Sequence, residues 1–235
     1  MSVQYRSNAI APQNRMTPSY IQLSSFLITP KQHNQRLNMT TQIFGDFIEQ
    51  LDDDAEYLKI GFSPFSASLK QRWRTNGLSA DFIGDYLQAF FVGKPQNLSG
   101  MNTPIPARSK NAVKYIANEL LENSMKFSDQ ASKYPTMIAL YLYTNQLVFY
   151  VTNSMKPSDV DKFQAFLQEL MHEDPNDLYF RRMEANASHE KNIHSGLGFL
   201  SMICDYSAKL GWRFETFNKK SVPTITVTTM VSLNI

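Results

Sequence analysis

The chain has 235 residues, 43% of them hydrophobic and 19% charged, with 9 glycines. That composition excludes a disordered or collagen-like polymer, and the length suffices for one domain with a sizeable core, or one domain with an extension. A net charge of +2 calls for neither nucleic acid nor an anionic membrane, and a single cysteine, Cys204, excludes an internal disulfide or a thiolate metal site.

Residues 1–20 are polar, with Asn, Gln, Ser and two prolines, and read as a flexible tail. They hold no apolar core of signal-peptide length, and no apolar run reaches the ~18 residues of a membrane span. The expectation is a cytoplasmic protein. Residues 21–100 read as a mostly helical part packed on the core. Ile43, Phe44, Phe47, Ile48 and Leu51 recur at helical spacing, and the acidic run Asp52–Asp54 closes that helix. Tyr57–Phe62 reads as a short strand ended by Pro64. Ser66–Arg74 looks helical, Asn76-Gly77 breaks it, and Ser79 is placed to N-cap a second helix through Phe91.

Lys94–Pro106 is a loop, and a long helix follows from Ala107 to Phe127, with Pro106 at its entrance. MIALYLY (Met137–Tyr143) and LVFYVT (Leu147–Thr152) form a hairpin across a short turn. A helix runs from Pro157 to His172; Asp174–Asn192 is charged and without a strong apolar period. Gly196 opens a helix through Leu210, with Gly211 as its C′ glycine. Strands at Trp212–Phe217 and Thr224–Leu233 end the chain. Adjacent strand pairs with helices between them indicate an α+β fold: a mixed, mostly antiparallel sheet with helices on one face.

Two stretches carry chemistry. On the long helix, Glu119 and Asn123 are four residues apart and share a face that borders the apolar stripe. A carboxylate there suits a general base, and an Asn oxygen suits a hard cation such as Mg²⁺. Lys126 lies a turn further on, within reach of a phosphate. The second stretch is Gly196-Leu197-Gly198 at a helix start, where backbone N–H groups and the helix dipole favour an anion. Each alone is equally a solvated helix face or a simple turn.

Taken in order, ELLENSMKFS, the hairpin, the polar insertion and GLGFLSMICDYSAKLGW resemble the Bergerat-fold GHKL superfamily of ATPases, closest in style to anti-sigma-factor serine kinases. The resemblance spans Ala107–Leu233. It implies a two-layer α/β sandwich over residues 101–235, with ATP and Mg²⁺ as cofactors and a lid at about 155–193. It further implies that Asn123 holds Mg²⁺, that Glu119 is the base, and that Lys126, Gly196, Leu197 and Gly198 contact phosphates. Asn153 stands where the family has the Asp of Asp-x-Gly-x-Gly, and both glycines of that motif are absent. Its carbonyl oxygen is left as an uncharged, weaker acceptor for the adenine amino group. Arg181, Arg182, His189 and Lys191 in the lid region read either as phosphate ligands or as a solvated surface helix.

The functional expectation is phosphorylation of Ser or Thr on a partner regulator protein in a partner-switching pathway. A non-catalytic protein-binding module on the same scaffold is the alternative. The first hundred residues leave a homodimer interface open.

Overall fold

A computed structural model of the chain describes residues 39–50, 55–64, 69–92, 107–143, 145–188, 196–217 and 223–235. The expected tail at 1–20, the acidic run at 52–54 and the loop at 94–106 lie outside these residues.

Six strands form one sheet: β1 (Met39–Gly45), β2 (Glu56–Phe62), β3 (Thr136–Leu142), β4 (Gln146–Met155), β5 (Lys209–Phe217) and β6 (Thr224–Asn234), in the order β1-β5-β6-β4-β3-β2. Every neighbouring pair is antiparallel, so the expected mixed character does not appear among the described strands. Five helices accompany it: α1 (Leu69–Val92), α2 (Ala107–Phe127), α3 (Pro157–His172), α4 (Pro175–Ser188) and α5 (Leu197–Tyr206). The α+β class and the layering of helices on the sheet are as the sequence indicates. No described helix is long and apolar enough to cross a membrane.

The core lies between α2 and the sheet. Val113, Ile116, Ala117, Leu120 and Leu121 form the buried stripe of α2, against Leu147, Phe149 and Val151 of β4 and Val231 of β6. On the other sheet face, Phe47 packs edge-on against Tyr150, and the Tyr150 hydroxyl donates to the Ile48 carbonyl at 2.9 Å. Thr152 and Thr228 pair their hydroxyls on the same face at 2.9 Å.

Three local expectations are corrected. Of the segment expected to be helical from Thr40 to Leu51, residues 46–50 are neither helix nor strand, and residues 40–45 belong to the strand β1, registered Met39 to Phe217 through Gly45 to Gly211. Its Thr and aromatic residues suit a pleated edge, and pairing with β5 outweighs an apolar spacing that also fits a helix. With β2 at the opposite edge, the part expected to be mostly helical supplies both outer strands of the sheet.

Asn76-Gly77 does not break the second segment, because α1 is continuous. Ser79 is inside that helix and donates back to the Thr75 carbonyl at 3.0 Å. Burial of Ala80, Ile83 and Leu87 outweighs the ~1 kcal/mol that a helical glycine costs.

The charged stretch after Asp174, which reads as a surface helix around Arg181 and Arg182, does contain one, α4. Asp174 caps it, its carboxylate accepting from the N–H groups of Asn176 (2.9 Å) and Asp177 (3.2 Å), and Pro175 takes the tolerated first position. Finally, α5 ends at Tyr206 and not at Leu210. Ser207 adopts the left-handed conformation (φ 54°) that closes it, and Gly211 lies inside β5.

Candidate functional site

The outer edge of α2 carries the first half of the site. With Leu120 and Leu121 turned into the core, Glu119, Glu122 and Asn123 are half-buried and Lys126 is exposed. Asn118 holds Glu122 in place through a 2.8 Å hydrogen bond. Burial pushes the Glu119 carboxyl above its ordinary range, the charge of Glu122 adds to this, and Lys126 opposes it.

The start of α5 supplies the second half. Gly196 has φ 61°, a conformation that a side chain strains, and a Cβ there would enter the ring of Phe166. At Gly198 a Cβ would land on the Glu119 carboxylate. The two glycines therefore let the base candidate and an aromatic ring approach the same backbone turn. The Gly196 carbonyl accepts the first helical bond, from the Leu200 N–H at 3.3 Å, so the positive end of the helix macrodipole lies at this turn.

Between these halves is a cavity of about 910 Å³, near the upper end of the ~300–1,000 Å³ usual for ligand pockets. Glu119, Asn123, Lys126, Asn153, Gly196, Leu197 and Gly198 all line it. These seven predicted site residues are thus gathered at one place. Asn153 is buried on β4, its amide nitrogen donating to the Ser154 carbonyl at 2.8 Å. That bond uses one of the two amide N–H donors and leaves the carbonyl oxygen as the acceptor.

Sequence reasoning missed the wall opposite α2. Phe163 and Phe166 of α3 line the cavity and stack at 6.3 Å and 24°. Phe166 also stacks on Phe199 of α5 at 6.4 Å, and Phe199 meets Trp212 edge-on at 5.5 Å. Thr229 of β6, opposite Val151 in the register, lies on the floor. Phe163 and Phe166 are three residues apart and so share a face of α3, but nothing in that spacing signals a cavity.

Arg181 and Arg182 are present but engaged. The Arg182 guanidinium lies 4.5 Å from the Phe166 ring centroid and pairs with Glu169. Arg181 bonds Glu169 at 2.8 Å and Glu173 at 2.5 Å. The described part of the region expected as a lid is therefore mainly two helices, α3 and α4, tied together by these pairs. His189, Lys191, His194 and Ser195 lie outside the described residues.

Five carboxylates (Glu119, Glu122, Asp159, Glu169 and Glu173) line the cavity against three basic groups (Lys126, Lys162 and Arg182). Among the described residues, no group of three His, Cys, Asp or Glu side chains is placed to hold a metal ion. A cation here would depend on Asn123, its neighbouring carboxylates and oxygens of a bound ligand.

No family model matches the chain, and no curated protein matches it. A chain in the crystal structure of the SiaB–SiaC complex from Pseudomonas aeruginosa is similar to it at 15% identity, over 76% of this chain and 89% of that chain, with a TM-score of 0.44. A likeness this loose does not establish a common fold.

Proposed function

We propose that the chain is an ATP-binding regulatory protein of the anti-sigma-kinase type, which phosphorylates a Ser or Thr of a partner protein. The observation that carries this reading is the meeting of Glu119, Asn123, Lys126, Asn153 and the Gly196–Gly198 turn around one cavity. The residues fit the cofactor: the volume lies within the range of ligand pockets, and the bare glycine turn brings the start of α5 into contact with Glu119 at the cavity wall.

ATP with Mg²⁺ supplies the transferable phosphoryl group when bound. Asn123 would hold the metal through its side-chain oxygen, which suits a hard cation. The backbone of Gly196, Leu197 and Gly198 would bind phosphate oxygens at the positive end of α5, with Lys126 adding charge at the rim. The carbonyl oxygen of Asn153 would accept from the adenine amino group. Glu119, a carboxylate made more basic by its burial, would take the proton of the partner's hydroxyl as it attacks.

The second reading, a protein-binding module without catalysis, draws on the excess of carboxylates in the cavity and the uncharged Asn153. Calorimetric titration with ATP and Mg²⁺ separates the two. The kinase reading expects saturable binding that Asn123→Ala abolishes in a folded protein. It expects Glu119→Ala to bind ATP and to lose transfer to a co-purified partner. Absence of binding by the unmodified chain would leave the module; unchanged affinity of the Asn123 variant would remove that residue from the site.

A further inference from the structure

We propose that the outer face of α4 docks a protein partner through a cationic amphipathic segment, in which apolar side chains are flanked by Lys or Arg. The inference rests on the protein partner that both readings above share, and not on nucleotide binding. Phe180 is 58% exposed and Met183 42%, on a helix that buries Leu178 completely on its other side. Phe180, Met183 and exposed Ala187 are spaced by three, four and seven residues and so form one apolar stripe. Tyr179 meets the Phe180 ring edge-on at 6.2 Å. An exposed aromatic ring beside a methionine is the kind of anchor that protein interfaces favour.

Charge decides what covers the stripe. Asp177 and Glu184 stand three residues before and four after Phe180, on the same side of the helix, and both are exposed. Neither forms an ion pair among the described residues. Arg181 is four residues from Asp177 and three from Glu184, but its guanidinium is held by Glu169 at 2.8 Å and Glu173 at 2.5 Å. The stripe is therefore bordered by uncompensated negative charge. A second copy would bring two such sets of carboxylates to one interface, and an anionic membrane is repelled. Lysine or arginine beside the partner's apolar residues satisfies both parts of the face at once. The exposed pair on α1, Leu78 and Phe82, selects nothing by charge, because Asp81 and Asp85 beside it are already paired with Lys114 and Lys110.

The same helix reaches the cavity. Its inner side carries Arg182, whose guanidinium lies over Phe166 at the cavity wall and pairs with Glu169. One helix thus touches the cavity on one side and presents the stripe on the other. A partner docked there lies one helix diameter, about 10–12 Å, from the cavity.

The test is fluorescence anisotropy of the full chain with three labelled synthetic peptides: one with Leu and Lys at helical spacing, one with Glu in place of Lys, and a scrambled Leu/Lys control. The Leu/Lys helix should bind about tenfold tighter than either control, and less tightly as salt rises. Phe180→Ser should weaken that binding about tenfold. Asp177→Asn combined with Glu184→Lys should reverse the preference, so that the Leu/Glu peptide binds the tighter. Glu184→Lys alone, which exchanges one exposed side chain for another, should weaken the Leu/Lys peptide and reads the same point if the double variant does not fold. Circular dichroism should be unchanged in the single variants. Equal binding of the Leu/Lys and Leu/Glu peptides would overturn the proposal, as would Leu/Lys binding that Phe180→Ser and Glu184→Lys leave intact. So would a double mass in sedimentation of the chain alone that Phe180→Ser abolishes, since a second copy would then own the face. All of these readouts are taken without nucleotide, so their failure and that of the ATP titration are separate results.

Discussion

Glu119 is where burial and chemistry meet in one side chain. It sits on the edge of α2 with its carboxylate against Gly198, and its raised pKa comes first from burial. The consequence for stability has a definite sign. Well below the ordinary value of 4.5, the group is protonated both folded and unfolded and is indifferent. As pH rises past that value the unfolded chain ionises first, and the folded state loses relative stability until the buried carboxyl also ionises. Glu119→Gln, which cannot ionise, should therefore match the unmodified protein in thermal midpoint near about pH 4 and exceed it near about pH 8. A variant no more stable than its parent at the higher pH would show that the carboxylate is well solvated. Asn153 makes the complementary point. The sequence reading ends the strand at Thr152, whereas β4 runs on to Met155 and carries Asn153 within it, and the bond to the Ser154 carbonyl that orients its amide depends on tertiary placement.

At the level of elements, legibility followed locality. The α2 helix and the β3–β4 hairpin each carry their own signal within a short stretch, and both formed where the sequence places them. The strand β1 did not, because its partner β5 lies more than 160 residues away and its apolar spacing suits either structure. The start of α4 was legible after all in Asp174-Pro175, a cap followed by a first-turn proline. The weak apolar period hid it. The end of α5 was misplaced because a glycine is the usual left-handed terminator, and here Ser207 fills that role at φ 54° with Gly211 nearby in the sheet. Ser207→Gly should relieve that strain. Part of the gain is offset by the greater freedom of glycine in the unfolded chain, leaving a net stabilisation of about 0.5–1 kcal/mol. Equilibrium denaturation would read this as a higher midpoint with an unchanged slope. A lower midpoint would mean that the Ser207 side chain contributes more than its backbone costs.

For the molecule as a whole, the two local stretches that suggested chemistry lie far apart in sequence and are brought together over the sheet. β4 and β6 lie side by side at its centre, and the α2 edge and the α5 start meet above them around the cavity. The low glycine count fits this arrangement: the glycines are kept where the backbone must pass Glu119 and Phe166, and are missing after Asn153. The same assembly sets a condition on the ligand. Five carboxylates against three basic groups, one of them already paired with Glu169, repel a bare triphosphate. If the cavity binds ATP, it must do so with the charge of a divalent cation in place. Thermal unfolding should then move upward with ATP and Mg²⁺ together. At a hundredfold excess over Kd the linkage is about 2.7 kcal/mol, or about 5–10 °C for a chain of this size. ATP with EDTA should give little or no shift, and Asn123→Ala should abolish the shift even with Mg²⁺ present. An equal shift in EDTA would mean that Lys126, Lys162 and the α5 turn suffice for the phosphates, and would take the metal out of the site. No shift under either condition would make the cavity a feature of a binding module, with Glu119 retained for its packing against Gly198.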